Sequence, residues 1–532
     1  MSGFGTLAVI APIFPFALGV ILPLTLGTPP ARSAKLAYFG AIAALGAVSL
    51  AITGSMIAGQ WGDLPALTSP LRLDSLGALM TGTVAVIGFV VSRFARRYLA
   101  CDPAQQRFSI WFSYTLTAIL IIPIAHHLIL LMLAWLMASH GLHHLLTLYP
   151  DRPAALLAAR KKFLISRLGD ALLIAAFAII YSQWGSFDLS VIFERAALSA
   201  EAGQTGAILA ISLLVVLGAT TKSAQLPFHT WLPETMETPT PVSALMHAGI
   251  VNAGGFLVIR LSPLLAHAPS ALSLLAYVGG FSAMTGALIM LTQNDVKRKL
   301  AYSTISQMGF MMLQCGLGAF SAAMLHLVGH SFYKAHAFLS AGSWVDTKAT
   351  GQPEVPNKDA SPAWMIAFAG VVGLALTGFA LFLADVDIHQ KPGGGVLASV
   401  LALALAQGLV IWSLVLGRRL WVPKNVAIAL SAGLAVSLFY LISVGFVDRI
   451  LGDAISRPLL PVADPSALPG FTLVAMFGVA VLIQTFRPAI ASSGIGTRFY
   501  ILLRNGFYLG EIQNRWLKRL WPIDRPEQNP AR

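Results

Sequence analysis

Runs of continuous apolar residues, each roughly 18 to 25 long, recur about fifteen times along the chain, and each is long enough to cross the hydrocarbon core of a bilayer as a helix. They centre near residues 15, 46, 83, 116, 134, 173, 214, 253, 282, 308, 331, 373, 405, 436 and 479. Strands of a membrane barrel would alternate polar and apolar residues over about ten positions. These runs do not alternate, so the chain is expected to be an all-α polytopic membrane protein. Composition agrees: of 532 residues, 56% are hydrophobic and 11% charged, too few charges to cover a soluble surface of that size.

The placement of the charges orients the bundle. Basic residues gather between runs 3 and 4 (Arg93, Arg96, Arg97, Arg107), between 5 and 6 (Arg152, Arg160, Lys161, Lys162) and between 9 and 10 (Lys297, Arg298, Lys299). Arg418, Arg419 and Lys424 follow run 13, whereas Asp188, Glu194 and Glu201 dominate the connection between 6 and 7. Alternate loops are therefore basic, which by the positive-inside rule puts the N-terminus outside and the C-terminus in the cytoplasm. The formal charge of +13 is read as this topology and not as a nucleic-acid surface. Phe4 to Leu26 lacks a basic leading segment and reads as a retained span. Cys101 and Cys315 form no disulfide or zinc framework.

Residues 1–490 are expected to form the transmembrane domain, with a core over 75–345, and residues 491–532 a cytoplasmic tail. The longest polar stretch, Asp346 to Ser361, reads as a connector. The tail segment "RFYILLRNGFYLGEIQNRWLKRLWP" mixes aromatic and basic residues at helical spacing. It reads equally as an interfacial amphipathic helix and as a docking surface.

Charges within spans mark ion or substrate paths, because lipid cannot solvate them. In "LLVVLGATTKSAQLPFHTWLPE", Leu213 to Glu234, nine uncharged residues lead to Lys222, and Pro227 and Pro233 follow. Each proline removes a backbone donor, so a helix break is expected near 222–233, with polar backbone that must be buried in protein or wet. A broken helix beside an ionisable group is how membrane transporters build ion sites. Gln225, His229 and Thr230 supply further hydrogen-bonding groups there. In run 6, Arg167 and Asp170 lie three apart on one helix face, as a relay or as an internal ion pair. Run 8 carries His247, Asn252 and Arg260; His247 is either a packed core residue or a proton carrier. In run 11, His326, His330 and Lys334 fall at i, i+4 and i+8 on one face. The two histidines have zinc-ligand spacing, but no acid accompanies them and Lys334 would repel a cation, so the set reads as a ladder of titratable groups. His140, His143 and His144 form a second histidine group at the end of run 5. No nucleotide-binding loop and no nucleophile elbow is found, so any work must draw on an ion gradient or a partner.

Three segments, "TTKSAQLPFHTWLPETMETPTPVSALMHAG", "QNDVKRKLAYSTISQMGFMM" and "HLVGHSFYKAHAFLSAGS", closely resemble the antiporter-like proton-translocating subunits of respiratory complex I and of multisubunit cation/proton antiporters. The resemblance covers about residues 75 to 345 and implies an inverted-repeat bundle of the kind transporters use. It assigns the central proton carrier to Lys222, matches His247, Arg167 and Asp170, and makes His326, His330 and Lys334 the connecting proton path.

Two departures stand out. Where that family has Trp-Glu in the fifth span, this chain has Trp135 and Leu136, so the usual acidic partner of the lysine is missing, and Asp170 is expected to replace it. Where the family has G-F-x-S-K-D after the twelfth span, the chain reads "GFALFLADVD", and Gln407 is the one polar residue near the middle of run 13. These departures, with "HHLLTLYPDRPAALLAARKKFLISRLGD", resemble the DabB branch, membrane subunits of bacterial inorganic-carbon accumulation complexes. That resemblance implies a bacterial inner-membrane protein that conducts protons or sodium ions. It implies a DabA-like peripheral partner, a zinc protein similar to β-carbonic anhydrase, which would hydrate CO2 to bicarbonate. It implies no cofactor in this chain. A subunit of complex I or of a membrane-bound hydrogenase, and a multisubunit Na+/H+ antiporter, are the alternatives.

Overall fold

The computed structural model describes residues 3–57, 63–64, 70–342, 363–388, 391, 393–416, 422–455, 468–485 and 493–521. Arg418, Arg419 and the Asp346 to Ser361 connector lie outside the described residues. The architecture is all-helical, as expected, apart from one two-stranded antiparallel pairing of Asp63–Leu64 with Leu73–Asp74.

The apolar runs become helices α1 (Thr6–Leu26), α2 (Pro30–Ile57), α3 (Ser75–Tyr98), α4 (Gln105–Ile121), α5 (Leu128–Leu146), α6 (Pro153–Trp184) and α7 (Thr205–Lys222). They continue as α8 (Thr240–Arg260), α9 (Pro269–Met290), α10 (Val296–Gly316), α11 (Phe320–Leu339), α12 (Ala363–Leu383), α13 (Gly394–Leu416), α14 (Pro423–Leu451) and α15 (Leu468–Thr485). Among the described residues, twelve helices are long and apolar enough to cross a membrane, against about fifteen expected. The shortfall has a physical cause. α10 and α11 are long enough but carry Lys297, Arg298, Lys299 and His326, His330, Lys334, His336, and in α15 the apolar stretch is only Thr472–Ile483.

Local chemistry sets the helix ends. α3 opens on Asp74, which accepts the Gly77 amide at 2.7 Å as an N-cap, and closes on Arg96 and Arg97, whose charges suit the C-terminal dipole. α9 and α10 pack closely because Gly279 and Gly309 face one another, and a Cβ at either would strike the other helix's backbone. α7 stops at Lys222, before the first proline, and Ala224 takes a left-handed φ of 50°. A 3-10 stretch, Phe228–Glu237, holds Pro233, and α8 is itself interrupted at Ile250–Asn252. Two irregular segments thus lie in the middle of the bundle. Backbone of that kind is tolerated at membrane depth only inside protein or beside water.

The tail after α15 forms helices Gly494–Arg504 and Leu509–Leu520. The second folds back against the chain: Lys161 donates to the Gly510 carbonyl at 3.2 Å, Asn514 donates to Glu234 at 3.2 Å, and Thr230 donates to Gln513. Its opposite side leaves Ile512, Trp516 and Leu520 exposed.

Candidate functional site

Lys222, 7% exposed, sits where α7 ends. Its ammonium donates to the Ser139 hydroxyl at 2.6 Å and to the Trp135 carbonyl at 3.4 Å, and lies 4.4 Å from the centre of the Trp135 ring. A cation desolvated over an indole face gains on the order of 2 kcal/mol, part of what keeps this charge inside. Trp135 also donates its indole N–H to Asp170 at 3.0 Å, and Asp170 pairs with Arg167 at 2.6 Å. Among the described residues, no ion pair joins Asp170 directly to Lys222. Asp170 and Lys222 both contact Trp135, which stands between them, while Leu136 packs half-buried against the core.

Lys162 is a correction. Sequence reading placed it with Lys161 in a basic loop, but α6 begins at Pro153, so both lysines lie within the helix and are buried. Lys162 donates to the Ser139 carbonyl at 2.6 Å, so one serine accepts two lysines, Lys162 on its carbonyl and Lys222 on its hydroxyl. The available signal was Pro153 itself, a residue favoured at the first helical position, which starts the helix two turns before Lys161. Lys161 pairs with Glu234 at 2.6 Å, tying the start of α6 to the segment that follows the break.

A second polar centre lies between α8, α10 and α11. Lys334 is fully buried and donates to the Ser303 hydroxyl at 2.7 Å and the Leu300 carbonyl at 3.1 Å. The Thr304 hydroxyl donates to the same carbonyl at 3.0 Å, and its oxygen lies 3.0 Å from His247 Nδ1. His247 is therefore linked to Lys334 through Thr304 and the Leu300 carbonyl, one turn apart on α10, and its ring stacks on Phe338 at 4.3 Å. Asn252, in the α8 interruption, donates to Ser331 of α11 at 2.8 Å. His330 is buried with neither ring nitrogen bonded, and its ring centre is 6.4 Å from that of His326, which is half-buried. His247 Nε2, Asn252 Oδ1, Gln225 Oε1 and His229 Nδ1 are likewise buried without a protein partner. Buried polar atoms without a protein partner are where ordered water is expected.

Of the sequence candidates, Lys222, Asp170 and Arg167 thus form one cluster, and His247, His330 and Lys334 a second, with His326 at its edge. Pro227 and Pro233 lie in the irregular segment between α7 and α8. Arg260 stands apart, forming an ion pair with Asp74 and donating to the Pro123 carbonyl at 2.7 Å. Burial acts to raise the Asp74 carboxyl, but the Arg260 guanidinium outweighs it and holds the group below the usual carboxylate range. His140 and His144 contact each other at 3.2 Å, with His144 stacked on Trp111 at 3.7 Å. Gln407 is half-buried on α13, its side-chain oxygen without a partner. Among the described residues no group of three His, Cys, Asp or Glu side chains could hold a metal ion.

The chain matches the family described as NADH:quinone oxidoreductase/Mrp antiporter, TM, over residues 125–358, and that described as NADH-Ubiquinone oxidoreductase (complex I), chain 5 N-terminus, over 62–109. The probable inorganic carbon transporter subunit DabB2 of Halothiobacillus neapolitanus is 38% identical over 492 residues, 90% of this chain and 87% of that protein. The probable inorganic carbon transporter subunit DabB of Hydrogenovibrio crunogenus is 37% identical over 362 residues, 68% of this chain and 69% of that protein. The fold is similar to a chain of the Mrp complex of Dietzia, with a TM-score of 0.60 at 23% identity over 97% of this chain and 61% of that one.

Proposed function

As the chain belongs to the family of inorganic carbon transporter subunit DabB, within the antiporter-like subunits of complex I and Mrp antiporters, it is an ion-translocating membrane subunit, and we propose that its ion flow energises inorganic-carbon accumulation. The ion is a proton or a sodium ion. The work is done on a peripheral DabA-like partner, whose zinc hydrates CO2 to bicarbonate on the cytoplasmic side of a bacterial inner membrane. The basic loops face that side, and no cofactor resides in this chain.

The observation that carries the reading is the buried Lys222 held by Ser139 and Trp135 at the end of a broken helix. A lysine there can exchange its charge only by moving a proton or by coupling to another cation, since lipid offers no counter-ion. Asp170 biases it through Trp135, in place of the missing fifth-span glutamate. Water at the unbonded buried atoms of Gln225, His229, His247, Asn252 and His330 would link Lys222 to His247, His330 and Lys334.

Affinity purification of the full chain from its native membrane tests this. A single large zinc-containing partner, together with ion-gradient-dependent carbon uptake that Lys222→Ala abolishes, is the expected result. Flavin or iron–sulfur proteins in its place would assign the chain to a redox complex, and several small membrane subunits to an antiporter.

A further inference from the structure

We propose that the ion path opens to the face opposite the basic loops through a gate made of Gln314 and Tyr440, which leads into a cavity of 820 Å3 walled by α11, α12, α13 and α14. The proposal rests on the ion-conduction reading above and assigns the outer half of the route. The relevant departure is local: "GFALFLADVD" and run 13 lack a charged residue in mid-span, so the outer step must use other groups.

The cavity lies where the start of α11 and of α13 meets the ends of α12 and α14. Its wall includes Ser321, Thr377, Asp385, Lys391, Tyr440 and Asp448. The Asp448 carboxylate accepts from Ser321 at 2.6 Å and from Lys391 at 2.9 Å, so an acid is fixed at the wall by one hydroxyl and one partly exposed ammonium. The buried Thr377 hydroxyl also lines the cavity and has no protein partner. The wall is mostly apolar but carries these polar groups together, and space of this size beside them admits water and a hydrated cation.

The connection inward runs along α10. Ser303, Gln307, Phe310 and Gln314 are spaced i, i+4, i+7 and i+11, so they form one stripe on that helix. Ser303 at the lower end holds Lys334, and Phe310 packs against the His326 ring at 5.6 Å. His330 lies one turn from each of its neighbours in the ladder. At the upper end Gln314 is fully buried, donates to the Tyr440 hydroxyl at 3.4 Å, and leaves its own carbonyl oxygen unbonded. On this proposal the route follows Lys334, His330 and His326, passes Phe310 on the α10 stripe to Gln314 and Tyr440, and ends in the cavity. A cation delivered there is received by the Asp448 carboxylate as its contact with Lys391 opens.

The test uses proteoliposomes holding the full chain with its co-purifying partner, with a pH-sensitive dye for protons and radiolabelled sodium for sodium ions under imposed gradients. Gln314→Leu and Tyr440→Phe, which keep volume and ring packing, are expected to cut flux of the transported ion at least tenfold, and Asp448→Asn severalfold. A thiol introduced as Ser321→Cys is expected to react with a membrane-impermeant cationic thiol reagent from the face opposite the basic loops, and flux to stop when it does. Wild-type flux in all of these variants, with Lys222→Ala still inactive, overturns the outer route and leaves the conduction reading standing. Wild-type flux in Lys222→Ala removes the conduction reading, and the route falls with it.

Discussion

The two lysine centres bury the same charge in different ways. Around Lys222 the chain assembles Arg167, Asp170, Lys162 and the Trp135 ring, a charged cluster in which one carboxylate serves several cations. Around Lys334 hydroxyls, carbonyls and neutral-capable imidazoles close in, and among the described residues no carboxylate pairs with it. A desolvated charge with a carboxylate nearby is compensated, whereas one held by dipoles alone is maintained at a cost. The first centre is therefore suited to holding its charge and the second to giving it up. In the proposed path the contrast supplies a direction of bias that neither lysine provides alone.

That contrast can be broken, most severely at Lys222. Lys222→Ala is expected to reduce gradient-driven flux to background and to lower the melting temperature without abolishing the fold, because Asp170 keeps Arg167 as its ion-pair partner; loss of the folded chain in a thermal melt would contradict this. Asp170→Asn comes next, since it leaves two buried lysines without their acid. Removing one partner of a buried pair costs about 3–5 kcal/mol, reduced here because Arg167, 42% exposed, can reach water. A lowered melting temperature together with impaired flux is expected, and unchanged flux would deny Asp170 its role beside Lys222. Lys334→Met sharpens the comparison, because a lone cation is replaced by an apolar chain of similar length. Its melting temperature should hold or rise while flux falls, and a clear destabilisation would show that the second centre is charge-compensated after all.

Smaller effects on flux are expected from Trp135→Phe and at the Asp74–Arg260 pair. The phenyl ring keeps a face for the Lys222 ammonium but deletes the indole N–H bond to Asp170, a charged hydrogen bond of roughly 1.5–3 kcal/mol. Flux in Trp135→Phe should therefore lie between wild type and Asp170→Asn; a value equal to wild type would mean that the indole link carries nothing. Asp74 has its carboxyl held below the ordinary value of 3.8, so its contribution to stability is complete above that pH and fades as the pH falls through the lower folded value. Asp74→Asn should flatten this acid limb of the melting curve and lower the melting temperature at neutral pH, where the ion pair with the buried Arg260 contributes in full.

How far these centres could be read in advance varies by residue. The i, i+4, i+8 spacing put His326, His330 and Lys334 on one face because helical periodicity is local. Pro227 and Pro233 announced the break for the same reason, although the helix stops earlier, at Lys222, than the first proline requires. Asp170 was named as the substitute acid, but its link through Trp135 depends on how α5 and α6 pack. Lys162 was misplaced because a basic residue near a loop carries the same letter whether it faces water or a neighbouring serine. The docking of Leu509–Leu520 on Glu234 and Lys161 joins residues hundreds of positions apart, and the tail's own composition left that contact undecided.

The sequence alone determined that the chain spans a membrane as helices, since run length and charge scarcity follow from the cost of exposing backbone and charge to lipid. It also determined most of the titratable groups that lie within the spans, Lys161 and Lys162 excepted, and where one helix must break. Only the tertiary structure decided their neighbours: that Ser139 accepts two lysines, that Trp135 stands between Lys222 and Asp170, and that Gln314 meets Tyr440 at a cavity wall. Backbone hydrogen bonding is satisfied within each helix and so is written locally, whereas a buried side chain is satisfied by whichever helix packs against it, and that is set by the whole bundle.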